Sequence, residues 1–141
     1  ILYNIYLTNN KFESNYFMPK DRDELQIAVD EWCDNKEQAI LKYGHISNWN
    51  TIYITNISYI FNNKYNFNDV ISDWNTSNVI YMNCMFYRTR QFNQELNNWN
   101  INNVKNMEYM FYYATNFNKS ISNWNISNIR NKNMFYGCDR N

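Results

Sequence analysis

The chain carries 13 tyrosines, three cysteines and a single histidine, and that inventory bounds its chemistry. His45 sits in the connector between Gly44 and Trp49 and reads as a loop residue. There is no phosphate-cradling glycine-rich loop and no nucleophile motif, so no catalytic residues are expected. Cys33, Cys84 and Cys138 share no CxxC spacing; three unbridged thiols are expected, with one bridge plus a spare thiol as the alternative. Neither a metal site nor a cofactor is expected. Asp21, Asp23, Glu24, Asp30, Glu31, Asp34 and Glu37 crowd together in sequence but fall on first turns and outward sides of predicted helices, where a solvated face is the simpler reading. The residue types that remain suit recognition: Tyr59, Tyr87, Tyr109, Tyr112 and Tyr113, with Arg88, combine large area with a polar handle, as binding hot spots do.

These residues are positioned by a repeat. Trp49, Trp74, Trp99 and Trp124 recur every twenty-five residues, and their surroundings recur with them: 46–70, 71–95, 96–120 and an incomplete 121–141. Fixed-period self-similarity predicts stacked supersecondary units. Within the second unit Val79, Met82, Met85 and Phe86 stand at helical spacing, matched by Val104, Met107, Met110 and Phe111 in the third. Capping-type residues Thr76, Ser77 and Asn78 place a helix start near Asn78, with equivalents near Tyr53, Asn103 and Asn128. Phe92, Gln94 and Leu96 alternate as in a short strand. One helix and one strand per unit predict an α/β, leucine-rich-repeat-like solenoid of four strand-helix units. The core of the second unit is expected at Ile71, Trp74, Val79, Met82, Met85, Phe86 and Phe92. On the predicted wheel Ile80, Cys84, Tyr87 and Arg88 face outward, as do Lys105, Tyr109, Tyr112 and Tyr113. Tyr59 joins them from the first unit.

Residues 1–45 do not repeat and predict an N-terminal cap of one strand and two helices. ILYNIYL reads as the strand. Asp21 with Glu24 resembles a capping box ahead of the stripe Leu25, Ala28, Val29 and Trp32. A second helix starts at Asp34 with Glu37 and stops at Gly44.

About a fifth of the residues are Asn. Those in phase, Asn50, Asn75, Asn100 and Asn125 after each Trp and Asn68, Asn93 and Asn118 after each Phe, are expected to form ladders satisfying backbone groups at turns. The sequons at Asn56, Asn75, Asn118 and Asn125 matter only if the chain enters a secretory pathway. Net charge is formally zero, with the acids gathered at the N-terminal end and the repeats slightly basic. A nucleic-acid partner is not expected, because a dense Lys/Arg stripe is missing. No apolar run is long enough to span a bilayer.

The string W-N-T-S-N-V-x-x-M-x-x-M-F, followed by F-N-Q-x-[IL] and the next Trp, resembles the BspA-like repeat of leucine-rich-repeat surface proteins. Asn78, Val79, Met82, Met85, Phe86, Phe92, Asn93 and Gln94 occupy the motif positions. Two departures stand out: Asn replaces the usual acid after every Trp, and the fourth unit is one residue short between Asn131 and Met134. On a helix that deletion turns the downstream residues by about 100°. The resemblance implies binding or structural work, at a cell surface or in a virus particle, and no shared catalytic residues. The expected function is therefore a non-catalytic protein-protein interaction or adhesion module acting through the tyrosine face. The alternative is a structural assembly component, for which the incomplete last repeat offers a self-association surface. Compositional overflow of Tyr onto a surface is the competing explanation of the face itself.

Overall fold

The computed structural model describes residues 16–139; the strand expected over ILYNIYL lies outside them. Two helices come first, α1 (Arg22–Asp34) and α2 (Lys36–Tyr43). Asp21 caps α1 by accepting from the Glu24 N–H at 2.9 Å, and the Glu24 carboxylate reaches back to the Lys20 N–H at 2.7 Å. The second helix is capped by Asn35, not by Asp34, which is still the last residue of α1. Gly44 ends it at φ +71, where a residue without Cβ is unstrained. Leu25, Ala28, Val29 and Trp32 form the buried stripe of α1. No helix among the described residues is long and apolar enough to cross a membrane.

Beyond a 3-10 turn at Ile46–Asn48, the described residues of the repeats contain neither the expected helix nor the expected strand. The α/β leucine-rich-repeat-like solenoid of strand-helix units is therefore not the fold of this chain. Its repeats are built from turns, and the pairing between them that has β character among the described residues is three isolated parallel bridges, Asn56↔Tyr81, Tyr81↔Asn106 and Asn106↔Arg130.

The physical reason lies in where alternate N–H groups go. A helix sends every N–H back along its own chain. Here Ile57, Tyr59, Phe61 and Asn63 instead donate to the carbonyls of Tyr81, Asn83, Met85 and Tyr87 in the next unit, at 2.9, 3.2, 3.0 and 2.9 Å. The residues between them close local turns, as in Asn62 N–H to Tyr59 O at 3.0 Å and Lys64 N–H to Phe61 O at 3.0 Å. Met82, Cys84, Phe86 and Arg88 repeat the pattern onto the third unit, and Met107, Tyr109, Phe111 and Tyr113 onto the fourth. Alternation of this kind requires the backbone to change hand at intervals. Positive φ accordingly falls at Tyr59, Cys84, Tyr109 and Asn133, and again four residues on at Asn63, Arg88, Tyr113 and Gly137.

The units are thus layers held face to face. Phe61, Phe86, Phe111 and Phe135 stack at centroid spacings of 5.5, 5.4 and 5.4 Å, and Phe67, Phe92 and Phe117 at 5.9 and 5.9 Å. Trp49 stacks on Trp74 at 6.3 Å and Trp99 on Trp124 at 6.5 Å. All seven core positions named for the second unit are buried. Three of the four column indoles also tie their layers to what precedes them: Trp49 Nε1–H donates to Gly44 O, Trp74 to Ile46 O and Trp99 to Ile71 O, at 3.1, 2.9 and 3.0 Å. Trp124 Nε1 is buried without a hydrogen-bond partner among the described residues.

Asparagine takes the place of the expected strand. The Asn93 N–H donates to Asn68 Oδ1 at 2.8 Å and the Asn118 N–H to Asn93 Oδ1 at 3.1 Å, so a side-chain amide stands where a strand would use a carbonyl. After each Trp, the Oδ1 of Asn50, Asn75, Asn100 and Asn125 accepts from the N–H two residues on.

The short fourth unit is accommodated at one residue. The Arg130 N–H donates to Lys105 O, as Lys105 does to Ile80 O, while Arg130 O accepts from Met107, as Asn106 O does from Met82. Arg130 fills two positions, and the aromatic columns continue in phase. With no helix present, the expected 100° rotation does not arise.

The first layer has no preceding repeat to meet its carbonyls, and α1 supplies the donors. Arg22 Nη2 reaches Ser58 O at 2.5 Å and Gln26 Nε2 reaches Ile60 O at 3.0 Å. Spacing of four residues puts both side chains on one face of the helix.

Candidate functional site

Three columns of residues run across the layers. One holds Tyr59, Cys84, Tyr109 and Asn133; the next Asn62, Tyr87, Tyr112 and Tyr136; the third Asn63, Arg88, Tyr113 and Gly137. The ladder that replaces the helix sets this order, since each inter-layer hydrogen bond fixes which residue lies beside which.

The rings meet. Tyr87 and Tyr112 stack at 4.9 Å and 9°, and Tyr112 and Tyr136 at 5.2 Å and 16°. Tyr109 and Tyr113 set their rings steeply against Tyr112 at 5.5 and 4.8 Å, and Tyr113 also contacts Tyr136 at 5.6 Å. The Arg88 guanidinium lies 5.4 Å from the centre of the Tyr87 ring. Tyr59 and Tyr113 are exposed, as is Arg88, while Tyr87, Tyr109 and Tyr112 are half-buried. The six residues singled out from sequence therefore share one surface, though no helix presents them. Cys84, expected to face outward with them, is buried. Cys33, Cys84 and Cys138 form no disulfide with one another.

Electrostatically the face is rich in donors. Partial desolvation, then the neighbouring Tyr113 and Tyr87, hold the Tyr112 phenol above its ordinary value. A hydrogen bond with Cys84 does the same for Tyr59. Both hydroxyls therefore stay protonated at neutral pH. Glu108 is engaged by Arg130 at 2.9 Å, whereas Arg88 and Lys132 have no ion-pair partner among the described residues. Tyr136, Lys132 and Gly137 belong to this surface and were not singled out from sequence. The shortened unit puts Tyr136 twenty-four residues after Tyr112, off the period used to collect the others.

Elsewhere, Trp32, Cys33, Lys36, Lys64, Phe67 and Asp69 line a groove of about 410 Å³ between α1 and the first layer. Four of its polar side chains hold the two together: Trp32 Nε1–H and Lys36 bind the two Asp69 oxygens at 2.9 and 2.8 Å, and Lys64 pairs with Asp30 at 2.8 Å. His45 accepts from the Ser47 N–H at 3.3 Å and packs edge-on to Trp32 at 5.0 Å. No three His, Cys, Asp or Glu side chains among the described residues come together as metal ligands.

Comparison with curated proteins and with solved structures gives no match. A family model described as "Mycoplasma protein of unknown function, DUF285" matches residues 29–141, from the middle of α1 through every Trp-bearing unit. A match of that extent settles membership: the chain belongs to the DUF285 family.

Proposed function

We propose that this is a non-catalytic protein-binding module of the BspA-like surface-repeat type, which engages its partner through Tyr59, Tyr87, Arg88, Tyr109, Tyr112 and Tyr113. One observation carries the reading. Tyr59, Arg88, Tyr109 and Tyr113 occupy left-handed backbone positions, at φ 63, 58, 58 and 52. Asn or Gly adopts that conformation readily, and Asn63, Asn133 and Gly137 do so at equivalent sites. A bulky side chain there costs on the order of 1 kcal/mol. Tyr59, Arg88 and Tyr113 remain exposed, so burial recovers little of that cost. Chance enrichment in Tyr gives no reason for them to gather at the costly positions of a single face.

The test replaces Tyr87, Tyr112 and Tyr113 together by Ser and compares the variant with the unaltered chain, both immobilised, for proteins retained from the native source. A protein held by the unaltered chain and lost by the variant, with the two melting alike, supports the module. Equal retention removes the tyrosine face from binding. Light scattering on the same samples separates a monomeric recognition module from an assembly component, which would self-associate.

A further inference from the structure

We infer that the tyrosine face takes a short carboxylate-rich segment of a partner protein; this rests on the binding role proposed above and specifies its chemistry.

Charge supplies the first reason. Off the face, Lys36 pairs with Asp69, Lys42 with Glu31, Lys64 with Asp30 and Lys119 with Glu95, while Arg90 and Lys105 have no ion-pair partner among the described residues. Arg88 and Lys132 lack such partners among the described residues, and Glu108 is already matched by Arg130. The surface therefore carries uncompensated positive charge with no competing anion. An acidic segment would complete its pairs, and the Arg88 fork favours a carboxylate geometrically.

Ring geometry supplies the second. Tyr87, Tyr112 and Tyr136 use their faces on one another, at 4.9 and 5.2 Å. Tyr112 is covered on both faces, which leaves its ring edge and hydroxyl open. Partners that need a continuous row of open aromatic faces, such as the bases of a single-stranded nucleic acid or the rings of a proline-rich segment, do not find one in the stack. Phenol hydroxyls beside Arg88, with Lys132 adjoining Tyr109 through the ladder, suit carboxylate oxygens. Three stacked rings span about 10 Å, the reach of roughly three residues of extended chain, so the recognised element is short.

The experiment measures fluorescence anisotropy of labelled ten-residue probes titrated with the full chain: alternating Glu-Gly, the matched Gln-Gly peptide and an oligothymidylate of the same length. The Glu peptide should bind at least about tenfold more tightly than the Gln peptide and weaken as salt rises. Arg88→Gln with Lys132→Gln should weaken it by about tenfold, Arg88→Lys by less, and Arg90→Gln with Lys105→Gln hardly at all. Tyr87→Phe, Tyr112→Phe and Tyr136→Phe together, which remove the hydroxyls and keep the stack, should weaken it severalfold. Equal affinity for the Gln peptide, preference for the oligonucleotide, or no binding of the Glu peptide overturns the inference. In those cases loss of the native partner by the Ser variant would still leave the binding module standing, so the two failures are distinguishable.

Discussion

The ring of Tyr113 lies over the α-carbon of Gly137: a Cβ at that position would come within 2.7 Å of Tyr113 Cδ1 and 2.9 Å of Cε1. Gly137 also holds φ +78, so it serves the face twice, by taking the left-handed turn and by leaving room for the ring. Gly137→Ala should lower stability by about 1–2 kcal/mol and displace Tyr113 from Tyr112 and Tyr136. Chemical denaturation gives the first, and side-chain NMR shifts of Tyr113 the second. An Ala variant with unchanged stability and unchanged shifts would show that the seat is not tight.

The Trp column makes an internal comparison possible. Trp99 Nε1–H donates to Ile71 O at 3.0 Å, while Trp124 Nε1 has no acceptor. Replacement by Phe removes similar area in both cases but breaks a hydrogen bond only at Trp99. Trp99→Phe should therefore cost about 1 kcal/mol more than Trp124→Phe, read from denaturant midpoints at constant slope. Equal costs would mean that the indole bond contributes nothing net.

Arg22 and Gln26 each satisfy a first-layer carbonyl. Arg22→Ala or Gln26→Ala leaves that carbonyl short of a donor, at about 1–2 kcal/mol apiece. The double variant should also loosen the contact of α1 with the first layer, seen as faster amide exchange in α1 before global unfolding. Protection unchanged in α1 would place its attachment elsewhere.

Alkaline pH should weaken the fold. Partial desolvation holds Tyr112 above its usual 10.0, the Cys84 hydrogen bond does so for Tyr59, and desolvation raises the Cys33 thiol to about 11 although that residue keeps part of its surface in solvent. A group raised in the folded state gives stability that is present below its unfolded value and lost as pH climbs through the folded one. The loss should begin near pH 9 with Cys33 and deepen above pH 10 with the tyrosines. Denaturation midpoints between pH 7 and 11 test this, with Tyr112→Phe expected to flatten the upper part. On the acid side Glu31 is lowered from 4.5 by its hydrogen bond with Lys42; that contribution is present above 4.5 and fades as pH falls. Both groups are exposed, so the acid effect should be slight.

Much of the fold is legible in the sequence, and the remainder has a definite cause. The period, the core set from Ile71 to Phe92, both helices before the repeats and the Asn ladders come from spacing and capping chemistry. The helix expected in each repeat does not form, since alternate N–H groups go to the next layer, and spacing does not reveal this because a turn that closes from residue i to i−3 buries positions three and four apart much as a helix does. Val79, Met82, Met85 and Phe86 are buried either way. The usual mark of a left-handed position is Gly or Asn, and it is missing where Tyr59, Cys84, Arg88, Tyr109 and Tyr113 stand. The helical wheel that groups the tyrosines does not exist in the fold; the ladder sets Tyr59, Tyr87, Arg88, Tyr109, Tyr112 and Tyr113 in neighbouring columns by a different geometry, with Cys84 buried among them. Tyr136 is hidden from such a wheel because Arg130 absorbs the missing residue and shifts the period by one.

Registry is central to this fold: each Trp-to-Trp segment is one layer whose N–H groups meet the next layer's carbonyls, and this alone puts the tyrosines in line. Excision of Ile71–Glu95 joins Val70 to Leu96 and should bring Trp49 onto Trp99 and Phe61 onto Phe111, with the ladder closed again. Thermal unfolding monitored by near-ultraviolet circular dichroism should show a cooperative transition at a lower midpoint, as expected of a shorter stack. Excision of Ile71–Arg90, which breaks the phase, should abolish it. Unfolding of the in-phase deletion, or equal cooperativity in both, would contradict the account.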